Sequence, residues 1–164
     1  MPTSPARFRD PRSTEYDFLD SILVRCPRCD RVARVQRQPH SAEPRPFAPR
    51  RLVCRSCGLA RVWAGRGIGP WSGSSGPAAD AYFGVRLWLR RETRHGRLWA
   101  YDLAHLDLIR RFAGATLRER APWYDTGQKL TLVARLPAWV TSAKNRDEVL
   151  RGVDRLRRSV LTGS

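Results

Sequence analysis

All four cysteines of the chain lie in one stretch as two C-x-x-C pairs, Cys26/Cys29 and Cys54/Cys57, with twenty-four residues between the pairs. Two thiolates separated by two residues can bind one tetrahedral ion from a single tight turn, and a second such turn completes the ligand set. Four sulfurs at about 2.3 Å from the ion suit zinc. The spacing therefore predicts one structural zinc ion, with no open position at which the metal could activate water.

A disulfide or a redox dithiol is the alternative use of such pairs. A redox C-x-x-C usually opens a helix in a βαβ unit, and neither pair is followed by a helical pattern. The first twenty residues lack the apolar region of a secretory signal, and no run approaches the roughly eighteen apolar residues of a membrane span. We therefore expect a cytoplasmic chain with no membrane association, whose cysteines stay reduced and bind metal.

Four short runs of strand-forming residues flank the two cysteine turns: Ile22–Val24, Val32–Val35, Leu52–Val53 and Ala60–Trp63. Turn, strand, long loop, strand and turn is the order of a zinc ribbon, here predicted over residues 21–64. Gly58 follows the second pair at a place where the turn needs a positive φ. Asp30 holds the equivalent place in the first turn, where a side chain is tolerated less well.

The chain is strongly basic, with 31 Lys and Arg against 15 Asp and Glu and a formal net charge of +16. Between residues 21 and 66, eleven arginines accompany only two acidic residues. Some of them would stabilise an anionic zinc–thiolate group. The remainder predict a surface that attracts phosphate backbones, with plain solvation as the alternative for any one side chain. The candidate nucleic-acid contacts are Arg31, Arg34, Arg50, Arg51 and Arg61.

Composition divides the rest of the chain into segments. Residues 1–20 are predicted to be a flexible N-terminal segment, and residues 65–80 a Gly/Ser/Pro linker that includes Trp71. Residues 81–164 carry a β-hairpin followed by helices. Because neither the ribbon nor this last part has much apolar surface, we expect them to pack together as one compact unit.

Alternating residues from Tyr82 to Tyr101 predict a hairpin with its turn around Thr93–Gly96. The pattern leaves open whether the hairpin extends the ribbon sheet. It also leaves open whether Trp88, Trp99 and Tyr101 are core residues or an exposed face that stacks bases.

Two main helices are predicted after the hairpin. Asp102 is the expected N-cap of a helix to about Arg120, and Asn145 with Glu148 forms a predicted capping box for a helix to about Leu161. The outer face of this last helix is predicted to carry Arg151, Arg155 and Arg158. The fold class is therefore small α+β: a four-cysteine zinc ribbon followed by a β-hairpin packed on two main C-terminal helices.

The segments YFGVRLWLRRETRHGRLWAYDLAHLDLIRRF and LPAWVTSAKNRDEVLRGVDRLRR, behind the CPRC…CRSCG turns, resemble a family of uncharacterised bacterial zinc-ribbon proteins. That family is described by its likeness to the zinc ribbon of transcription factor IIB. The resemblance covers most of residues 23–158. It implies a zinc site on the four cysteines and a bacterial cytoplasmic setting, and it implies no catalytic activity.

The sequence favours a non-enzymatic protein that binds DNA or RNA with weak sequence specificity. The alternative is an adaptor that docks on a larger cytoplasmic complex through the ribbon. Catalysis is not expected, nor is a small-molecule substrate, because no cysteine is left over and no Ser-His-Asp grouping is suggested. Of the three histidines His105 comes nearest to acidic residues, and we interpret it as a helix-surface partner of Asp102 or Asp107.

Overall fold

The computed structural model describes residues 6–44, 46–63, 78–119 and 131–163. The predicted linker, including Trp71, lies outside these ranges except for residues 78–80. The strands are β1 (Arg7–Phe8), β2 (Ser21–Arg25), β3 (Val32–Arg37), β4 (Arg50–Val53), β5 (Ala60–Trp63), β6 (Arg90–Thr93), β7 (Gly96–Trp99) and β8 (Leu117–Arg118). The helices are α1 (Leu103–Gly114), α2 (Ala138–Thr141) and α3 (Arg146–Thr162). Small α+β is thus confirmed as the fold class.

The ribbon is a four-stranded antiparallel sheet in the order β2-β3-β4-β5. Its register places Ile22 beside Val35 and Val35 beside Leu52. Because side chains alternate along each strand, these pairs define an inner face, which the core covers. The other, outer face carries Ser21, Leu23, Arg25, Val32, Arg34, Gln36, Arg51, Val53, Ala60 and Val62.

The hairpin β6–β7 forms a sheet of its own, with the turn where the sequence predicts it. The residues just before and after it are nevertheless attached to the free edge of β2. Leu87 forms an antiparallel bridge with Val24, and the Leu23 N–H donates to the Tyr101 carbonyl at 2.8 Å. The hairpin therefore reaches the ribbon through its base and does not extend the ribbon sheet with a full strand.

The three hairpin aromatics are used inside the molecule. Tyr101 is buried, and the half-buried Trp99 meets it edge-to-face at 5.1 Å. The indole N–H of Trp88 donates to Oγ of Ser159 on α3 at 3.0 Å. These side chains therefore do not form an open base-stacking face.

Helix α1 begins where predicted, because the Asp102 carboxylate accepts the His105 backbone N–H at 2.7 Å. It ends at Gly114 and not near Arg120, since the chain turns away to form β8, which pairs in parallel with β1. Helix α3 has nearly the predicted bounds. The predicted capping box is wrong: the Asn145 side chain donates to the Trp139 carbonyl, and no side-chain cap is formed.

The N-terminal segment, predicted to be flexible, is instead folded over its described residues 6–20. Phe8 lies edge-to-face against Phe112 of α1 at 5.3 Å, and Phe18 and Leu19 are buried. In sequence these few apolar side chains stand between charged residues, a pattern typical of a solvated tail. Pairing of β1 with β8 holds Phe8 in the core, and the Phe18 ring stacks on His105 of α1 at 5.0 Å.

Two buried clusters stabilise the fold. The inner core joins the inner face of the ribbon to the N-terminal segment and α1, through residues that include Ile22, Val35, Leu52, Phe18 and Phe112. The helix core joins α1, α3 and the hairpin, through residues that include Ile109, Val153, Leu156, Leu98 and Leu23. Because Leu23 lies on the outer face, α3 and its neighbours cover part of that face. No helix of the described ranges is long and apolar enough to cross a membrane.

Candidate metal centre

The two cysteine turns have the same backbone geometry. In the first, the Asp30 N–H donates to the Cys26 carbonyl at 3.0 Å, and in the second the Gly58 N–H donates to the Cys54 carbonyl at 3.0 Å. Both residues after the pairs have positive φ, 65° at Asp30 and 72° at Gly58. The predicted left-handed position is confirmed in both turns, and glycine occupies it without strain only in the second.

The Asp30 side chain forms an ion pair with the end of β2. Its carboxylate lies 2.7 Å from Nη1 of Arg25, whose guanidinium also sits 5.0 Å from the centroid of the Trp88 ring. The ion pair is exposed and contributes little free energy by itself. It does connect the first cysteine turn to the base of the hairpin.

The four sulfurs are arranged as ligands of one ion. All four Sγ atoms lie within 4.8 Å of one another, and the Cys26–Cys57 and Cys29–Cys54 pairs are each 3.6 Å apart. A regular tetrahedron with metal–sulfur bonds of about 2.3 Å has edges of about 3.8 Å. The cysteines are free thiols, as a disulfide would need about 2.05 Å between sulfurs. The cluster can therefore hold one metal ion, as the spacing predicts.

Backbone N–H groups point at the sulfurs and favour their ionised form. The Arg28 N–H donates to Sγ of Cys26 at 3.4 Å. Burial disfavours a charge on Cys54, but N–H donors of Cys57 and Ser56 and neighbouring thiols outweigh it and lower the pKa of Cys54 to about 6. Such donors to ligand atoms fix and stabilise thiolates. One thiolate therefore forms readily in this cluster.

Further thiolates need a compensating charge. At Cys29 the Arg31 N–H favours the thiolate, but desolvation and the sulfurs of the other cysteines outweigh it and raise the pKa to about 12. Two thiolates in contact repel each other, so the cluster resists a second negative charge. A divalent cation removes this repulsion, so the donor set fits a thiophilic metal.

No protein-family model, no curated protein and no solved structure matches this chain. The metal centre is therefore defined by its own geometry, which is consistent with a zinc ribbon.

Arg50, predicted to contact nucleic acid, is fully buried. Its Nη2 donates to the Tyr82 hydroxyl at 3.0 Å and its Nη1 to the Ala48 carbonyl at 3.2 Å. The guanidinium lies 4.6 Å from the centroid of the Tyr82 ring. The prediction for Arg50 is wrong because Arg50 lies on the inner face together with Leu52. The sequence already indicates this, since residues two apart on a strand point to the same face.

The other four candidate arginines are exposed but do not share one surface. Arg34 and Arg51 project from the outer face of the sheet, and Arg61 lies on the opposite side, at the edge strand β5. Arg31 lines a cleft of about 600 Å³ beside the cysteine cluster, together with Cys29, Arg55 and Ser56. The structure therefore separates an outer-face pair from the arginines at the cysteine turns.

Ion pairing distinguishes several arginines of the ribbon from those of α1. Arg110 and Arg111 of α1 lie 3.4 Å and 3.1 Å from the carboxylates of Asp154 and Asp107. Burial raises the pKa of the Asp102 carboxyl, and the charge of Arg34 offsets a small part of this shift without forming a salt bridge. In the part of the chain that the structure describes, several exposed ribbon arginines form no salt bridge: Arg28, Arg34, Arg51, Arg55 and Arg61.

His105 is a core residue, which the sequence interpretation missed. It is 3% exposed, its Nδ1 accepts the Tyr101 N–H at 3.2 Å, and its ring stacks on Phe18 at 5.0 Å. The Asp102 carboxylate bonds to its backbone and not to its ring. The predicted helix-surface pairing is therefore wrong. The sequence did contain a signal for the burial of His105, because the apolar stripe of α1 continues through position 105.

We expect His105 to make the protein less stable in mild acid. Burial lowers its pKa from 6.5 to about 3. Below pH 6.5 the unfolded chain therefore binds a proton at this histidine, whereas the folded chain does not bind it until the pH is close to 3. Stability from this group is complete above pH 6.5 and is lost as the pH falls towards 3. At pH 5.5 the loss is about 1.4 kcal/mol.

Urea unfolding of the zinc-loaded protein at pH 7.5 and 5.5 measures this loss. His105→Phe should remove about this much of the pH dependence, and His40→Asn, at an exposed histidine, should leave it unchanged. An equal pH dependence in the wild type and His105→Phe would contradict the assignment.

Proposed function

We propose that this chain is a non-enzymatic zinc-ribbon protein that binds nucleic acid through exposed arginines of the ribbon. The metal in this proposal is one structural zinc ion on Cys26, Cys29, Cys54 and Cys57. Four protein ligands close the coordination shell, so the ion orders the ribbon and takes no part in chemistry.

We define the ribbon arginines as Arg28, Arg31, Arg34, Arg51, Arg55 and Arg61. The observation that carries the proposal is that all of them except Arg31 form no salt bridge with the described residues. Cations that are already paired gain little from phosphate, whereas an unpaired exposed guanidinium can replace counterions along a nucleic-acid backbone. The pairing of Arg110 and Arg111 on α1 supports this contrast within one molecule. We propose the ribbon, and not α1, as the binding surface.

The resemblance to bacterial zinc-ribbon proteins fits this proposal. We propose on that basis that the chain is a member of that family and acts in the cytoplasm. The support is the free state of the four cysteines and their arrangement around one ion. Reduced cysteines are typical of that compartment.

Two exposed apolar side chains favour the adaptor as a second candidate. Val62 on β5 is 63% exposed, and Phe47 in the loop before β4 is 53% exposed. Both belong to the ribbon and could contact a protein partner. The ribbon would then act as a rigid docking element, with its charge serving solubility.

Binding of short mixed-sequence DNA and RNA oligonucleotides, followed by fluorescence anisotropy, tests the proposal. We expect the zinc-loaded protein to bind at low salt and to lose affinity between 50 and 200 mM salt by about 3.5-fold for each phosphate contacted. Co-purified nucleic acid that high salt removes would agree with this result. A clean protein that binds no oligonucleotide at low salt would contradict the proposal and favour the adaptor.

A further inference from the structure

We infer that the partner is double-stranded DNA, docked on the open part of the outer ribbon face through phosphate contacts alone. This inference rests on the proposed function and specifies its partner.

The outer face is divided between a covered and an open part. Leu23 belongs to the helix core, and Val32 packs against it. The helix core therefore covers the end of the face near the first cysteine turn. The open part is formed by the remaining side chains of β3, β4 and β5: Arg34, Gln36, Arg51, Val53, Ala60 and Val62. This patch combines two cations with small or uncharged neighbours and contains no carboxylate.

The register fixes the spacing of the two cations. Arg34 lies opposite Val53, and Arg51 lies opposite Gln36, so the arginines are diagonal neighbours on adjacent strands. Such neighbours are about 7–8 Å apart at their Cα atoms. Two long side chains at this spacing can reach separate phosphates of one backbone.

The open part of the outer face contains no aromatic side chain. Trp63, at the end of β5, lies opposite Arg50 on the inner face and meets Tyr82 edge-to-face at 4.9 Å. The hairpin aromatics are likewise used in packing. Proteins that bind single strands place aromatic rings where successive bases stack, and this face offers none. A duplex needs no stacking partner, because its bases remain paired and its phosphates lie outside.

Two aromatic side chains of the described ranges are strongly exposed, and neither belongs to the outer face. Phe47 lies in the loop between β3 and β4, and Tyr16 lies in the N-terminal 3-10 turn. Isolated rings on separate segments do not form a platform for a strand. Phe47 is nevertheless the best available test of stacking.

DNA is favoured over an RNA duplex by the small number of neutral polar groups on the face. Duplex RNA is recognised largely through its 2′-hydroxyls, which need hydrogen-bonding side chains across a shallow groove. Gln36 is the one amide of the patch, and the hydroxyl of Ser21 at its border already accepts from Nη1 of Arg34 at 3.5 Å. Arginine–phosphate contacts without base contacts are sufficient for B-DNA.

The test measures the zinc-loaded full chain against one DNA duplex, each of its single strands and the matching RNA duplex at several salt concentrations. We expect the DNA duplex to bind most tightly. The double variant Arg34→Gln/Arg51→Gln should reduce the slope of log K against log salt by about 1.8, since each phosphate contact contributes about 0.9. Arg110→Gln removes the same charge from α1, outside the proposed binding surface, and should leave duplex binding nearly unchanged, as should Phe47→Ala.

Each other result has a distinct meaning. Single strands that bind as tightly as the duplex, or a loss of binding in Phe47→Ala, would overturn the inference and indicate stacking. Tighter binding of the RNA duplex would overturn the choice of DNA. A loss in Arg110→Gln equal to half the loss in the double variant would overturn the assignment to the outer face, because total charge would then account for binding. Failure to bind any of the four probes would instead contradict the proposed function.

Discussion

Removing the metal ion, or replacing Cys54 with serine, is expected to unfold residues 22–63 before the rest of the protein. Cys26 and Cys54 are 1% and 0% exposed and belong to the inner core, so the ligands are also packing residues. Structural zinc contributes roughly 10–16 kcal/mol of binding free energy in zinc-finger peptides, and in such small units this is folding free energy. A four-stranded sheet with strands of four to six residues has little else to hold its turns together.

Amide hydrogen exchange of metal-loaded and chelated protein measures this result by segment. Protection should disappear from β2 to β5 while α1 and α3 keep part of theirs. Ser56→Ala, which changes an exposed side chain in the same turn, is the matched control and should retain both metal and protection. Elemental analysis should find one zinc per chain. Retained protection of the ribbon without metal, no stoichiometric metal, or disulfides between these cysteines would each contradict the assignment.

Replacing Arg50 with alanine is expected to lower the free energy of unfolding by about 3 kcal/mol or more. The substitution leaves a cavity between the ribbon sheet and Tyr82, and it removes the donors to the Tyr82 hydroxyl and the Ala48 carbonyl. Both acceptors lose a hydrogen-bond partner where water does not reach. Arg50 therefore acts as a core residue despite its charge.

Urea unfolding of three variants separates the causes of this loss. Arg51→Ala makes the same change one position along β4, on the exposed outer face, and should alter stability by no more than about 0.5 kcal/mol. Arg50→Met keeps most of the side-chain volume but removes the donors, so its loss should be smaller than that of Arg50→Ala. Equal stability of the Arg50→Ala and Arg51→Ala variants would contradict the buried role of Arg50.

Local patterns predicted the elements in which neighbouring residues determine the geometry. The positive φ at Asp30 and Gly58 follows from the backbone of each C-x-x-C turn. The hairpin turn and the beginning of α1 follow from turn residues and from the Asp102 cap. Contacts between residues distant in sequence were not predictable in this way, such as the pairing of β1 with β8 and the hydrogen bond from Trp88 to Ser159.

The spacing of the cysteines is enough to predict that four sulfurs can meet at one ion, since each C-x-x-C pair closes within a single turn and the flanking strands bring the two turns together. Which arginines are available to a partner depends instead on how the chain packs. Arg50 and Arg51 are adjacent and chemically identical, yet one is buried and the other exposed. The difference arises because strand residues alternate between two faces, and the packing of the N-terminal segment, α1 and α3 decides which parts of those faces remain open to solvent.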